Sequence, residues 1–476
     1  MRDPYVPPEG SIPTLDVPSL HGVARVHLVG AGGAGMRNLA RLFLARGIAV
    51  DGSDLKDSRG VQELRGLGAR IAIGHDPANV DGPDAIVISS AIGAANPELR
   101  AAQAAGIAVW RRQQAVAALA AGRQAVAIAG SHGKTTTTSL VAIALERAGL
   151  DPTYLVGGDL NESGSGARHG GGDIFVFEAD ESDGSFLLAP ASIGVITNIE
   201  VDHVDFYPGG LEEIVSAFAT FAARSGHVVA CGDDPEVRAA LAAAGVKATT
   251  YGLDARNDLV VEIDALGPGG ARGRLRVDGR EIRLELAVDG PHNLLNAAAA
   301  IGVARSCGVD PHDAAGALSS FGGVHRRFEL RGTTRGADFF DDYGHTPTEM
   351  RVTIDTARRR DPGRLIAVVQ PHRYSRVQAL WRELGDSVTG ADIVVVTGVY
   401  GAAQEPIPGV TGKLVVDGVQ LAAPGRRTIY LPHRRDVVAF LDREVRAGDL
   451  VVTMGCGDVW MVADATLERI EESDRG

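Results

Sequence analysis

The sequence predicts an α/β protein of three domains, Rossmann-like at its two ends and with a P-loop-type nucleotide-binding domain in the middle. Three observations lead there. Short apolar runs alternate with helical patterns along nearly the whole chain, as strands joined by crossover helices into parallel sheets do. Two of those runs break into glycine-rich turns, Gly30-Ala31-Gly32-Gly33-Ala34-Gly35 and Gly130-Ser131-His132-Gly133, each followed by a helix start. Finally, 476 residues exceed what one core can organise, and about 150 residues per domain is the usual scale.

Composition removes several classes of function. An apolar content of 45% is that of a folded globular chain. A net charge of -13, with no Lys/Arg-rich block, excludes the basic face that a nucleic acid requires. Three widely spaced cysteines, Cys231, Cys307 and Cys456, form neither a disulfide framework nor a zinc-binding spacing and fit a reducing compartment. No apolar run approaches the ~20 residues of a membrane span, and no secretory leader pattern opens the chain. The expectation is a cytoplasmic protein without membrane insertion.

Residues 1–20 are proline-rich and aperiodic, a flexible tail by composition. The first domain is expected over 21–122. A strand at Arg25–Val29 enters the glycines Gly30 to Gly35, a helical pattern runs through Arg46, and a second strand follows at Ile48–Asp51. This is the opening βαβ of a nucleotide-binding domain, whose glycines admit a diphosphate to a helix N-terminus. Asp54 lies roughly 20 residues beyond, where a ribose-binding carboxylate stands in a NAD site. A NAD site and a tight turn without a ligand both remain open at this point. Further runs at Ala69–Ile73, Ala85–Ser89 and Ile107–Val109 continue the unit.

The second domain, 123–323, begins with the apolar run Ala125–Ala129, which turns through Gly130, Ser131, His132 and Gly133 into Lys134, Thr135 and Thr136. Glycines let backbone N–H groups close on phosphate oxygens, a lysine meets the β/γ phosphates, and a threonine hydroxyl can hold Mg²⁺. The loop is shorter than the general pattern, which places a glycine where this chain has Ile128. The helix is expected to begin after the threonines. Two later strands, Asp173–Phe177 and Ile193–Thr197, end in the acidic runs Glu178 to Asp183 and Asn198 to Asp205, the latter containing His203. Carboxylates and an imidazole converging on a phosphate loop suit a magnesium-nucleotide site. A hairpin is expected over Arg272–Ala287. After it, Asn293 and Asn296 share one helical face and could address a base edge or simply belong to a polar helix start.

The third domain, 324–476, carries strand-like runs at Leu365–Val369, Ile393–Thr397 and Leu450–Met454, read as another parallel sheet. Polar groups follow the strands: Asp342, Tyr343 and His345 after one, and Arg373 and Arg376 after another. A guanidinium binds a carboxylate bidentately, so the arginines are carboxylate candidates.

In order and spacing, these motifs resemble the Mur ligases, and most closely their alanine-adding branch. The match is carried by VGAGGAGM (29–36), GSHGKTTT (130–137), EADESDGSFL (178–187), NIEVDHVDFY (198–207), GPHNLLNA (290–297), RRFE (326–329), DDYGHTPTE (341–349) and QPHRYSR (370–376). The shortened phosphate loop is that family's own form.

The resemblance implies a UDP-sugar domain, a central ATPase and a C-terminal amino-acid domain. It implies ATP and Mg²⁺ as cofactors, and ligation of L-alanine to UDP-N-acetylmuramate through an acyl phosphate in cytoplasmic peptidoglycan precursor synthesis, by a monomer or homodimer. Gly30, Ala31, Gly32, Gly33, Ala34 and Gly35 then cradle the UDP diphosphate, with Asp54, His75 and Ser90 around it. Lys134 and Arg327 screen the phosphoryl transfer. Thr135, Glu178 and His203 hold magnesium, Asn293 and Asn296 meet adenine, and Asp342 meets the ribose. Tyr343, His345, Arg373 and Arg376 face the amino acid.

The chain's lysines, Lys56, Lys134, Lys247 and Lys413, leave none where sister ligases place a carbamoylated lysine, in agreement with the alanine branch. Thr346 departs from that branch, which usually has a second histidine there, and makes the position a suspect in amino-acid choice. The other readings are a Mur-type ligase for another amino acid or peptide and, from a different class, a NAD-dependent oxidoreductase.

Overall fold

The computed structural model describes residues 17–475 apart from 90, 162–163, 183, 189–190, 204–205 and 403. They build three sheets. The chain divides into two compact units, one running to residue 322 without 266–270 and the other comprising 266–270 and 323–476. Among the described residues no helix is long and apolar enough to cross a membrane.

The first sheet contains β1 (Arg25–Val29), β2 (Ala49–Asp54), β3 (Arg70–Ile73), β4 (Ala85–Ile88) and β5 (Ala108–Arg111), in the order β3-β2-β1-β4-β5. All its pairings are parallel. Helices cover both faces of such a sheet, so β1 is buried at every residue after Arg25. The strand order reverses beside β1, and the glycine turn 30–35 lies at that switch point.

The second sheet starts with β6 (Gln124–Ala129), β7 (Thr153–Leu155), β8 (Ala167–Arg168), β9 (Ile174–Glu178) and β10 (Ile193–Ile196). It continues with β11 (His227–Cys231), β12 (Thr249–Gly252), β13 (Leu259–Gly267), β14 (Gly270–Val277) and β15 (Arg280–Leu286). β6 lies between β10 and β9, parallel to each. The expected hairpin is β14–β15, antiparallel through Asp278-Gly279, both at positive φ as a tight two-residue turn requires.

The helix after the phosphate loop starts earlier than the sequence reading placed it. It spans Lys134–Arg147 and takes in the threonines. Within it, Thr138 Oγ1 donates to the Lys134 carbonyl, Ser139 Oγ to that of Thr135, and Thr137 Oγ1 to Asn296.

The third sheet holds β16 (Glu329–Thr334), β17 (Ala337–Asp342), β18 (Arg364–Val369), β19 (Ile393–Val396), β20 (Arg427–Tyr430) and β21 (Asp449–Met454). Its order is β16-β17-β21-β18-β19-β20. The expectation of a wholly parallel sheet needs correction at one edge, where β16 runs antiparallel to β17. Only Arg335-Gly336, both at positive φ, join these strands, and so short a link cannot make a parallel crossover.

Candidate active site

The register of the second sheet assembles the site. Ile128 pairs with Glu178 and Ala129 with Ile196, so the phosphate loop, the acidic run after β9 and the segment after β10 leave the sheet side by side. Gly130 has φ 137° and packs so tightly on Thr197 that a Cβ would overlap its hydroxyl. Gly133, at φ 80°, caps the helix in a left-handed conformation that glycine adopts without strain.

The loop is pinned from the β10 side. Asn198 Oδ1 accepts from the His132 N–H at 2.8 Å, Thr197 Oγ1 donates to the His132 carbonyl at 2.6 Å, and the Ser131 N–H donates to the Asn198 carbonyl at 3.0 Å. His132 Nε2 also lies 3.1 Å from the Glu200 carboxylate. Sequence reading selected the loop and missed Thr197 and Asn198. The available signal was the change from the apolar run at Ile193 to the polar pair Thr197-Asn198.

Lys134 folds back over the loop. Its ammonium donates to the Gly130 carbonyl at 2.6 Å and to Glu181 Oε1 at 2.8 Å. Burial works to lower its pKa, but Glu181, Asp180 and Glu178 outweigh that and hold it raised. Glu181, also absent from the sequence-derived set, is 4% exposed, and its Oε2 has no hydrogen-bond partner among the described residues. Burial pushes its carboxyl up to about 7, against the pull of Lys134. Asp180 behaves oppositely. Burial would raise it, yet Arg112, Lys134 and His203 hold it well below the ordinary carboxylate range.

A carboxyl whose folded pKa exceeds its unfolded value binds extra protons in the native state, so stability falls as pH rises between the two values. For Glu181 that window runs from the ordinary 4.5 to about 7. Glu181→Gln is therefore expected to melt at a temperature that falls less than the wild type's between about pH 5 and pH 8. Parallel melting curves with equal slopes would contradict the assignment.

Glu178 accepts a 2.7 Å bond from the Gly157 N–H, which aims its carboxylate beside the loop. Thr135 stands in the first turn of the loop's helix. His203 takes a left-handed φ of 51° and has Nε2 3.5 Å from the Asp202 carboxylate. Such backbone is uncommon outside glycine and recurs where surrounding structure forces a side chain into position. The donor set, rich in carboxylates and carrying an unpartnered buried oxygen at Glu181, suits a hard cation.

On the helix Pro291–Ser306, Asn293 Nδ2 donates to the Asp289 carbonyl and Asn296 Oδ1 accepts from Thr137. A Cβ on Gly133 would come within 3.0 Å of Asn296 Oδ1. The structure thus places Asn296 against the phosphate loop.

At the first sheet, Asp54 Oδ2 accepts from the Gly32 N–H at 2.9 Å, fastening the glycine turn itself. His75 is hydrogen-bonded to Ser53 at 2.9 Å and joins a buried group centred on Glu98, which also accepts from Ser53 and Asn79. Ser90 lies outside the described residues. Arg112 was missed, although it follows β5 directly. Its guanidinium lies 2.6 Å from where a Cβ on Gly35 would stand and pairs with Asp180 at 2.9 Å, tying the glycine turn to the acidic run.

In the second unit the candidates again follow strand ends. Asp342 closes β17, with its carboxylate accepting from the Phe328 and Gly344 N–H groups. Tyr343 carries the Arg326 and Arg327 guanidiniums 5.0 and 5.1 Å from its ring centre. Arg327 Nη1 is 3.6 Å from Glu349 Oε1. Glu349 Oε2 accepts from the His345 N–H at 3.0 Å, and His345 and His372 meet edge to face at 5.2 Å. Arg376 Nη1 donates to His372 Nδ1 at 2.9 Å. Arg373 holds φ 64° at the start of the helix Tyr374–Ser387.

Thr346 is the N-cap of the helix Pro347–Arg358, in a capping box with Glu349, and is 6% exposed. Its hydroxyl serves the helix, which gives a physical reason for threonine at that position.

Comparison with known proteins decides the family. The chain matches the Mur ligase family, catalytic domain over residues 25–124, the Mur ligase middle domain over 128–304 and the Mur ligase, glutamate ligase domain over 326–457. The chain belongs to the Mur ligase family. Its curated relatives include the UDP-N-acetylmuramate--L-alanine ligase of Kineococcus radiotolerans, 46% identical over 95% of this chain and 98% of that one. The enzyme of the same name from Rubrobacter xylanophilus is 44% identical over 94% and 100%. Among solved structures, the UDP-N-acetylmuramate-alanine ligase of Thermotoga maritima aligns with TM-score 0.80 and 27% identity, covering 94% of this chain and 99% of its own. A murein peptide ligase from Psychrobacter arcticus aligns with TM-score 0.73 and 25% identity, over 94% and 99%. This Mur ligase thus has the family's three-domain α/β architecture, each domain built on one of the sheets described above.

Proposed function

We propose that this Mur ligase joins L-alanine to the carboxylate of UDP-N-acetylmuramate with cleavage of ATP to ADP and phosphate. The observation that carries the reading is the part-buried Lys134 at the glycine loop, paired with Glu181 and held charged by Glu181, Asp180 and Glu178. It is supported by relatives of that name, which match over nearly their whole length. A NAD-dependent oxidoreductase leaves this arrangement without a role.

The chemistry follows from the substrates. A carboxylate does not react with an amine at neutral pH, so it must first be activated. Its attack on the γ-phosphoryl group brings two anions together, and fixed positive charge lowers that barrier. Lys134 supplies such charge from the loop, and Arg327 is proposed to supply more. The acyl phosphate formed is then open to the amine of L-alanine, which forms the amide and releases phosphate.

Mg²⁺ would be held by Thr135, Glu178 and His203, and when bound it neutralises phosphate charge. Asn293 and Asn296 are proposed for adenine and Asp342 for the ribose. Gly30 to Gly35, with Asp54 and His75 near them, are proposed for the UDP diphosphate, and Arg112 supplies a cation beside that turn. Tyr343, His345, Arg373 and Arg376 are proposed to receive the amino acid. The working domain limits are 21–122, 123–323 and 324–476, for sugar nucleotide, ATP and amino acid in turn.

A phosphate-release assay across an amino-acid panel tests this directly. Release is expected only with ATP, Mg²⁺, UDP-N-acetylmuramate and an amino acid together, with L-alanine preferred over glycine, L-serine and diamino acids. Preference for a diamino acid, or release without the sugar nucleotide, would sink the assignment.

A further inference from the structure

We propose that His345, His372 and Cys456 form a site for a borderline-soft transition metal, zinc foremost, and that metal held there excludes the amino-acid substrate. The second half rests on reading His345 and Arg376 as part of the amino-acid pocket.

Topology brings the three residues together. β17, β21 and β18 are adjacent and parallel, with Asp342 beside Met454 and Met454 beside Val369 at their carboxyl ends. His345, Cys456 and His372 each follow one of those ends by a few residues. One ligand atom from each lies within 4.8 Å of the other two. Small side-chain rotations bring such a trio to the ~2.0–2.3 Å bonds of zinc.

The donor chemistry chooses the metal. Two imidazoles and a thiol favour zinc and its neighbours, whereas magnesium takes oxygen ligands. His345 is already oriented as a ligand. Its Nδ1 lies 3.2 Å from the Tyr343 carbonyl and 3.4 Å from Glu349 Oε2, and that outer-shell support directs Nε2 to a metal.

His372 links capture to the pocket. A neutral imidazole has one lone pair, and here Nδ1 spends it on the Arg376 guanidinium at 2.9 Å. Coordination of zinc therefore requires that bond to be given up, which moves an arginine proposed for the substrate carboxylate.

Capture forms the zinc–sulfur bond and releases the thiol proton to solvent. The net change is Zn²⁺ plus thiol giving zinc thiolate plus H⁺. Arg326 and Arg376 near the sulfur oppose an approaching cation and Glu349 favours it. Sulfur is the softest of the three donors, so Cys456 is the ligand on which zinc affinity depends most.

The full-length protein titrated with zinc chloride against a chromogenic chelator tests the site without substrate. One equivalent is expected to bind, and Cys456→Ala and Cys456→Ser are each expected to weaken it about tenfold or more. Unchanged zinc affinity in both variants overturns the site. In the ligase assay zinc is expected to raise the KM for L-alanine in the wild type far more than in Cys456→Ala, whose metal-free turnover stays near normal. Zinc bound through Cys456 with no change in that KM overturns the exclusion, and with it the pocket reading, while leaving the site's composition established by titration.

Discussion

Lys134→Ala is expected to reduce phosphate release by about three orders of magnitude or more, the scale seen when a preorganised charge at a reacting centre is removed. The environment of Lys134 makes the effect larger than the loss of one hydrogen bond. The ammonium is part-buried, bonded to Glu181 and under the negative charge of Asp180 and Glu178. Without it those carboxylates face an incoming triphosphate unscreened, so both nucleotide binding and transfer suffer. Lys134→Arg is not expected to rescue activity, because the planar guanidinium cannot reproduce the converging bonds to the Gly130 carbonyl and Glu181. Circular dichroism should show the helix content preserved in both variants. Turnover within tenfold of wild type in Lys134→Ala would refute the role.

The second large effect is on stability. Arg326 donates to Asp341 at 2.9 Å and to the Gly455 carbonyl at 2.6 Å, and the Asp341 side chain is 0% exposed. Burial raises the Asp341 carboxyl, with Arg326 working against it. Removing one partner of such a pair leaves an uncompensated buried charge, at a cost of about 3–5 kcal/mol. Arg326→Met is therefore expected to lower the melting temperature of this unit by roughly 10 °C. The paired variant Arg326→Met with Asp341→Asn should recover much of the loss. Thermal melts of the single and paired variants check this, and an Arg326→Met protein as stable as wild type would show that the pair carries no net stability.

Much of the fold was legible because buried parallel strands are short apolar runs, and Ala125–Ala129, Leu365–Val369 and Leu450–Met454 are of that kind. The turn from Gly130 to Gly133 was legible too, since glycines that interrupt an apolar run mark a strand giving way to a helix. Other parts left weaker marks. β16 at the edge of the third sheet is mostly part-buried and mixed in character. The start of the helix at Lys134 was not legible, because a run of four threonines has low helix propensity.

Glu181 was overlooked for a different reason. In sequence it is one acid among several between Glu178 and Asp183, and nothing local separates it from the solvated ones. Only the packing that buries its carboxyl beside Lys134 does so. Thr346 shows the converse. It stood out in sequence as a departure near the amino-acid residues, and the structure gives its hydroxyl to a helix cap.

By itself, then, the sequence determined the architecture, the family motifs and the residue types at the phosphate loop, because these rest on local periodicity and on chemistry confined to a few consecutive residues. The tertiary structure alone decided which acids are buried, which side chain each histidine meets, and that His345, His372 and Cys456 stand together. Those relations join residues distant in the chain through strand order, and desolvation and charge pairing depend on neighbours that sequence spacing does not specify.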